Sequence, residues 1–125
     1  MILVDTSVWV DHLRAGDTQL AELLEGALVV MHPFVVGEVA CGSLADRQVV
    51  LELLQDLPAA AVAEPAEVLG FIDRHELQGR GIGYVDVHLL ASVALTEQTL
   101  FWTRDKRLRV VAQALGCAFQ VAGAH

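Results

Sequence analysis

No apolar run in this sequence approaches the roughly 18 residues that a membrane-spanning helix needs. Despite 54% apolar residues and a mean hydropathy of +0.50, it therefore reads as a soluble chain. A secretory leader is missing as well: Met1 runs straight into an apolar triplet and then Asp5, with neither a basic opening nor a small-residue cleavage site. The cytoplasm is the expected compartment. Cysteine is scarce. Cys41 and Cys117 lie far apart, with no CxxC pairing and no metal-type spacing to a histidine, which excludes a disulfide framework and a zinc site. Basic residues are few, 8 Lys and Arg against 16 Asp and Glu, for a net charge of −8. That balance argues against broad, sequence-independent binding to a phosphate backbone, which draws its affinity from Lys and Arg. Repeats, linkers and low-complexity segments are also lacking. The 125 residues read as one domain, 1–125, long enough to bury about two-thirds of its surface.

What is present is an alternation of short apolar runs with helically spaced segments. Ile2–Val4 and residues 28–31, 99–102 and 118–121 have the length and composition of buried strands. Leu20, Leu23, Leu24 and Ala27 follow helical spacing, as do Val49, Val50, Leu53, Leu54 and Leu57. Val68, Phe71, Ile72 and His75 form a third stripe, and Leu108, Val111, Ala112 and Leu115 a fourth. Residues 84–96 are apolar on nearly every side, which predicts a helix buried against the sheet. Pro33 and Pro65 fit first helical turns, Gly16, Gly26 and Gly116 fit helix ends, and residues 79–83 fit a loop. Strands alternating with helices predict an α/β fold on a mostly parallel sheet covered on both faces. Part of the apolar surplus is expected at a subunit or partner interface.

In such sheets, ligand sites gather beyond the C-terminal strand ends. Asp5 and Asp105 each follow an apolar strand, Glu38 lies on the helix opening at Pro33, and Asp86 begins the buried helix. The four can thus converge. Ionised carboxylates at one spot repel one another, a conflict that a divalent cation removes. All-oxygen ligands favour Mg²⁺ or Mn²⁺ over zinc, and two such ions can serve phosphodiester cleavage. Thr6 and Thr103, beside Asp5 and Asp105, can orient a carboxylate or a water.

Each acid also has an ordinary explanation. Asp5 suits a helix N-cap. Asp86 suits the positive end of its helix dipole, and Asp105 suits the same or an ion pair with Arg104 or Lys106. Glu38 resists such accounts, because Phe34, Val35, Val36, Val39 and Ala40 surround it in sequence and an unpaired buried carboxylate is costly. The basic cluster Arg104, Lys106, Arg107 and Arg109 is either a solvated helix face or a phosphate grip, with Arg104 and Lys106, which flank Asp105, as the candidate contacts. His12, His32, His75 and His88 show no ligand spacing and read as capping, surface or packing residues. Trp9 and Trp102 read as core or interface, and Asp11, Asp17, Glu22 and Glu25 as solvent-facing charges.

Four segments, taken in order, carry a resemblance. They are Ile2-Leu3-Val4-Asp5-Thr6-Ser7-Val8-Trp9-Val10-Asp11, Gly37-Glu38-Val39-Ala40-Cys41-Gly42, Gly83-Tyr84-Val85-Asp86-Val87-His88-Leu89-Leu90-Ala91-Ser92 and Trp102-Thr103-Arg104-Asp105-Lys106-Arg107-Leu108. Together they resemble the PIN-domain ribonucleases, and more narrowly the VapC-type toxins of bacterial and archaeal toxin–antitoxin pairs. The resemblance implies a PIN-like three-layer sandwich, with a central mostly parallel sheet flanked by helices. It implies a Mg²⁺- or Mn²⁺-dependent endoribonuclease site at Asp5, Glu38, Asp86 and Asp105, with Thr103 as the accompanying polar residue. It further implies an RNA substrate and a toxin homodimer. That dimer would assemble with a small VapB-type antitoxin whose C-terminal segment lies across the site, and DNA would be met only through the antitoxin. Some relatives carry a further acid one turn after the position of Asp86; here Leu89 and Leu90 occupy that turn, leaving one ligand fewer for a second metal. Two other classes fit parts of the pattern. One is a phosphoacceptor domain using Asp5, although Ser7 stands where its second acid belongs; the other is a catalytically inert partner-binding module.

Overall fold

The computed structural model describes residues 1–121. Three short parallel strands, β1 (Ile2–Val4), β2 (Val29–Val30) and β3 (Leu100–Trp102), form a sheet in the order β2-β1-β3. As the central strand, β1 has neighbours on both sides and needs apolar residues throughout; Leu3 and Val4 are wholly buried. The register sets Ile2 against Val29 and Leu100, and Val4 against Trp102. Single parallel bridges extend each edge, Met31 to Ala59 and Phe101 to Ala118. The expected fourth strand at 118–121 is thus reduced to one bridge. Phe101 both donates to Cys117 O and accepts from Phe119 N, and no ladder continues beyond it among the described residues.

Two helices, α1 (Thr6–Ala15) and α2 (Thr18–Glu25), connect β1 to β2. Four more, α3 (Pro33–Ala40), α4 (Arg47–Asp56), α5 (Pro65–His75) and α6 (Tyr84–Leu95), connect β2 to β3, and α7 (Lys106–Ala114) follows β3. Local chemistry sets their limits. Pro33 and Pro65 open α3 and α5, where the missing N–H costs nothing. His32 Nδ1 accepts from Phe34 N at 3.0 Å, and Asp17 Oδ1 from Leu20 N at 2.9 Å, satisfying amides that a helix start leaves unpaired. In α6 every residue from Val87 to Val93 is buried, as its all-round apolar sequence requires.

The first crossover carries the chain to one side of β1 and the second returns it to the other. Strand order therefore reverses at β1, and its C-terminal end is the switch point at which ligands of open parallel sheets bind. The next residue is Asp5.

Candidate active site

Asp5 prolongs the β1–β3 pairing by one residue, its N–H donating to Trp102 O at 2.8 Å. That step sets it beside Thr103. The carboxylate is 6% exposed, and its Oδ2 accepts from Thr103 Oγ1 and from Ser7 Oγ, each at 2.8 Å. Asp5 occupies the N-cap position of α1 but its side chain accepts no capping hydrogen bond from a backbone N–H of the helix. The capping alternative is therefore not realised: two hydroxyls hold the carboxylate instead. Ser7, absent from the residues expected at the site, also accepts from Arg104 N at 3.1 Å. Its signal was its place two residues after Asp5 on the first turn of α1.

Thr6 Oγ1 donates to Glu38 Oε1 at 2.7 Å, tying α1 to α3. Glu38 is exposed, which corrects the inference that its apolar neighbours enclose it. Helix α3 turns Val35 and Val39 into the core, 0% and 2% exposed, and leaves Glu38 on another face. No desolvation cost attaches to it, and its claim on the site rests on Thr6 and on its nearness to the other acids.

Asp86, half-buried on the first turn of α6, accepts from Gly83 N at 3.0 Å through Oδ2. Burial pushes its carboxyl above the usual range, the Gly83 N–H opposes the shift, and the charges of Asp5, Asp105 and Glu38 push it further up. The four acids thus share one electrostatic field. Asp105 caps α7, its Oδ1 accepting from Leu108 N at 3.0 Å while its own N–H donates to Thr103 Oγ1 at 3.1 Å. It pairs with neither Arg104 nor Lys106. Thr103 consequently bridges the two strand-end acids, donating to Asp5 and accepting from Asp105.

The Arg104 guanidinium is engaged by Asp11 and Asp17, and Asp11 also meets Arg14 at 3.0 Å. Asp11 and Asp17, expected as plain solvent-facing charges, form a clamp that holds Arg104 against α1 and the start of α2. Lys106 is exposed and in no ion pair among the described residues. His32 and His88 are buried and pack edge-on against Phe34, at ring separations of 5.0 and 4.8 Å. They are packing residues, as expected.

The donor set is of carboxylate and hydroxyl oxygens, the chemistry of hard divalent ions. Among the described residues, no three His, Cys, Asp or Glu side chains close into a metal cage. The arrangement is an open acidic cluster, and it fits an ion such as Mg²⁺ that takes one or two carboxylates directly and keeps its waters.

A parallel α/β sheet with acids around its switch point defines the class, and the family model described as PIN domain matches residues 2–114. The chain belongs to the PIN-domain family. Ribonuclease VapC32 of Mycobacterium tuberculosis, from two strains, is 50% identical to it over 118 residues, covering 94% of this chain and 95% of the relative. The crystal structure of FitAcB from Neisseria gonorrhoeae shares the fold with a TM-score of 0.63, at 22% identity, over 90% of this chain and 94% of that one.

Proposed function

We propose that this chain is a metal-dependent endoribonuclease, the toxin of a VapBC-type pair, which hydrolyses RNA phosphodiester bonds at the cluster of Asp5, Glu38, Asp86 and Asp105. The observation that carries this reading is the convergence of four acids from distant segments at the C-terminal end of the sheet, where Asp86, raised chiefly by its burial, is raised further by the charges of Asp5, Asp105 and Glu38, a repulsion that a divalent cation relieves. The 50% identity to proteins named ribonuclease VapC32 supports it. One or two of these carboxylates would hold Mg²⁺ or Mn²⁺ directly, and the others through the waters that the ion keeps. When bound, such an ion supplies positive charge to the phosphodiester oxygens and makes water more acidic. The chain's own contribution is orientation: Thr103 and Ser7 fix Asp5, Thr6 fixes Glu38, and the Gly83 N–H fixes Asp86. Lys106, exposed beside Asp105, adds positive charge facing the RNA backbone.

A VapB-type antitoxin is the partner this reading requires. A cavity of about 490 Å³ flanks Glu38 and is lined in part by Val10, Leu13 and Val50. A groove of about 350 Å³ shares Leu13 and Val50 and continues past Trp9, Leu24 and Leu53. Trp9 lines that groove, and its buried indole Nε1 has no hydrogen-bond partner among the described residues. An antitoxin segment of apolar side chains would pack there and end over the acids. Assembly as a cytoplasmic homodimer completes the reading; among the described residues no helix is long and apolar enough to cross a membrane.

Asp5→Asn tests the function, since it removes a charge and almost no volume. Purified wild type should cleave RNA in Mg²⁺ and stop in EDTA, and its induced expression should halt growth. The variant should fold normally and do neither. Cleavage that persists in Asp5→Asn or in EDTA would overturn the mechanism.

A further inference from the structure

Arg107 lies on the first turn of α7, two residues beyond Asp105, and its side chain crosses Gly81 in the loop that leads to Asp86. A Cβ built on Gly81 would fall 2.8 Å from both Cδ and Nη1 of Arg107 and 3.3 Å from Nε. With glycine there, the guanidinium end lies directly over the loop backbone, and a Cβ would oblige that flexible side chain to shift. Gly81 also has φ +79°, a left-handed conformation that favours glycine. One residue thus shapes the loop and provides the seat. Gly83, two positions on, donates to Asp86, so the seat joins the segments that carry Asp86 and Asp105.

The charge on this side chain is unused. The ion pairs among the described residues are those of Arg14 and Arg104 with Asp11 and Asp17, and Arg107 has neither an ion pair nor a side-chain hydrogen bond among them. An arginine presents five donors in a planar fork suited to phosphate. A chain of net charge −8 repels a polyanion at long range, so its grip on RNA must come from such localised cations.

We propose that Arg107, seated on Gly81, binds a backbone phosphate adjoining the one that is cleaved and so positions the RNA, whereas Arg104 is held by its clamp and serves the fold. The proposal rests on the reading of the acidic cluster as a ribonuclease site. It predicts a residue that governs RNA affinity and leaves the chemical step alone.

The test uses the full chain as wild type, Arg107→Gln, Arg107→Lys and Arg109→Gln, the last an equal charge change at an exposed position of the same helix. Cleavage of a fluorophore–quencher RNA oligonucleotide is followed in Mg²⁺. Binding of a fluorescein-labelled single-stranded RNA is followed by anisotropy in EDTA over a range of salt. Arg107→Gln should raise KM and weaken binding roughly tenfold, keep kcat within about twofold, and lower the salt slope by about one contact. Arg107→Lys should retain the slope, and Arg109→Gln should match wild type. Equal losses in Arg107→Gln and Arg109→Gln, or a wild-type KM and slope in Arg107→Gln, would overturn the proposal. If wild type binds RNA through Arg107 but never cuts it, the ribonuclease reading falls and the phosphate contact stands. If wild type cuts and Arg107→Gln keeps its KM, the contact alone falls. Absence of RNA binding by wild type sinks both.

Discussion

Thr103 Oγ1 donates to Asp5 Oδ2 at 2.8 Å across 98 positions of sequence, and the contact exists because the β1–β3 register sets Val4 against Trp102. One step past that pair, both side chains emerge at the same sheet edge. The hydroxyl holds a carboxylate that would otherwise be buried with Ser7 as its one remaining side-chain donor among the described residues.

Thr103→Val removes that donor while keeping the shape of the side chain. Leaving buried Asp5 and the Asp105 N–H short of a partner should cost about 1–3 kcal/mol, read as a lower urea midpoint, and should reduce cleavage as well. Thr103→Ser should recover most of both. A Val variant with wild-type stability and rate would show that the hydroxyl is incidental.

Asp105→Asn keeps an acceptor for the α7 cap but deletes one of the charges that raise Asp86. The Asp86 carboxyl should then titrate lower than in wild type, as followed by carbon-detected NMR. Because the folded pKa is raised, the ionised form is disfavoured at neutral pH, and that cost is relieved as pH falls through the folded value. Cleavage should accordingly fade on the acidic side at a higher pH than an ordinary carboxylate would dictate. By the same logic Mg²⁺ should raise the Tm of wild type at neutral pH more than that of Asp86→Asn.

His32 is wholly buried, and burial first, then the neighbouring His88, lowers its pKa from 6.5 to about 4. Between those values the unfolded chain takes up a proton that the folded one refuses. Stability from this group is complete above pH 6.5 and declines as pH falls toward about 4, below which the dependence levels off. Urea midpoints measured across that window should fall in wild type and fall less in His32→Asn, which retains a capping acceptor. Parallel curves for the two proteins would refute the assignment.

Arg104→Gln breaks the clamp with Asp11 and Asp17. The Arg104 and Asp11 side chains are 38% and 37% exposed, so the loss should stay within about 1 kcal/mol and shrink as salt is added. Thermal melts at low and high ionic strength would show it. RNA affinity should change far less than in Arg107→Gln.

Much of this molecule could be read along the chain. Pro33 and Pro65 mark helix starts, the apolar run from 84 to 96 marks the buried helix, and Asp5, Asp86 and Asp105 stand at strand ends and a helix opening, because each is a matter of nearest neighbours and periodicity. Glu38 shows where such reading misleads. Apolar residues flank it in sequence, yet α3 distributes them around its axis and sets Glu38 on an exposed face. Ala118 shows another limit, since whether an apolar run becomes a strand or a single bridge depends on how far a partner edge extends.

Composition, periodicity and local capping chemistry by themselves determined an α/β chain with four acids at plausible positions and a basic cluster after β3. Which basic residues stay out of ion pairs among the described residues and which one is clamped was decided only in three dimensions. Arg104 meets Asp17 across 87 positions, and Arg107 lies on Gly81 from another segment; neither neighbour is visible from either end. Short-range propensities act within a few residues and leave their marks in the sequence, whereas the electrostatic partners of a side chain depend on strand register and helix placement, which the whole core sets together.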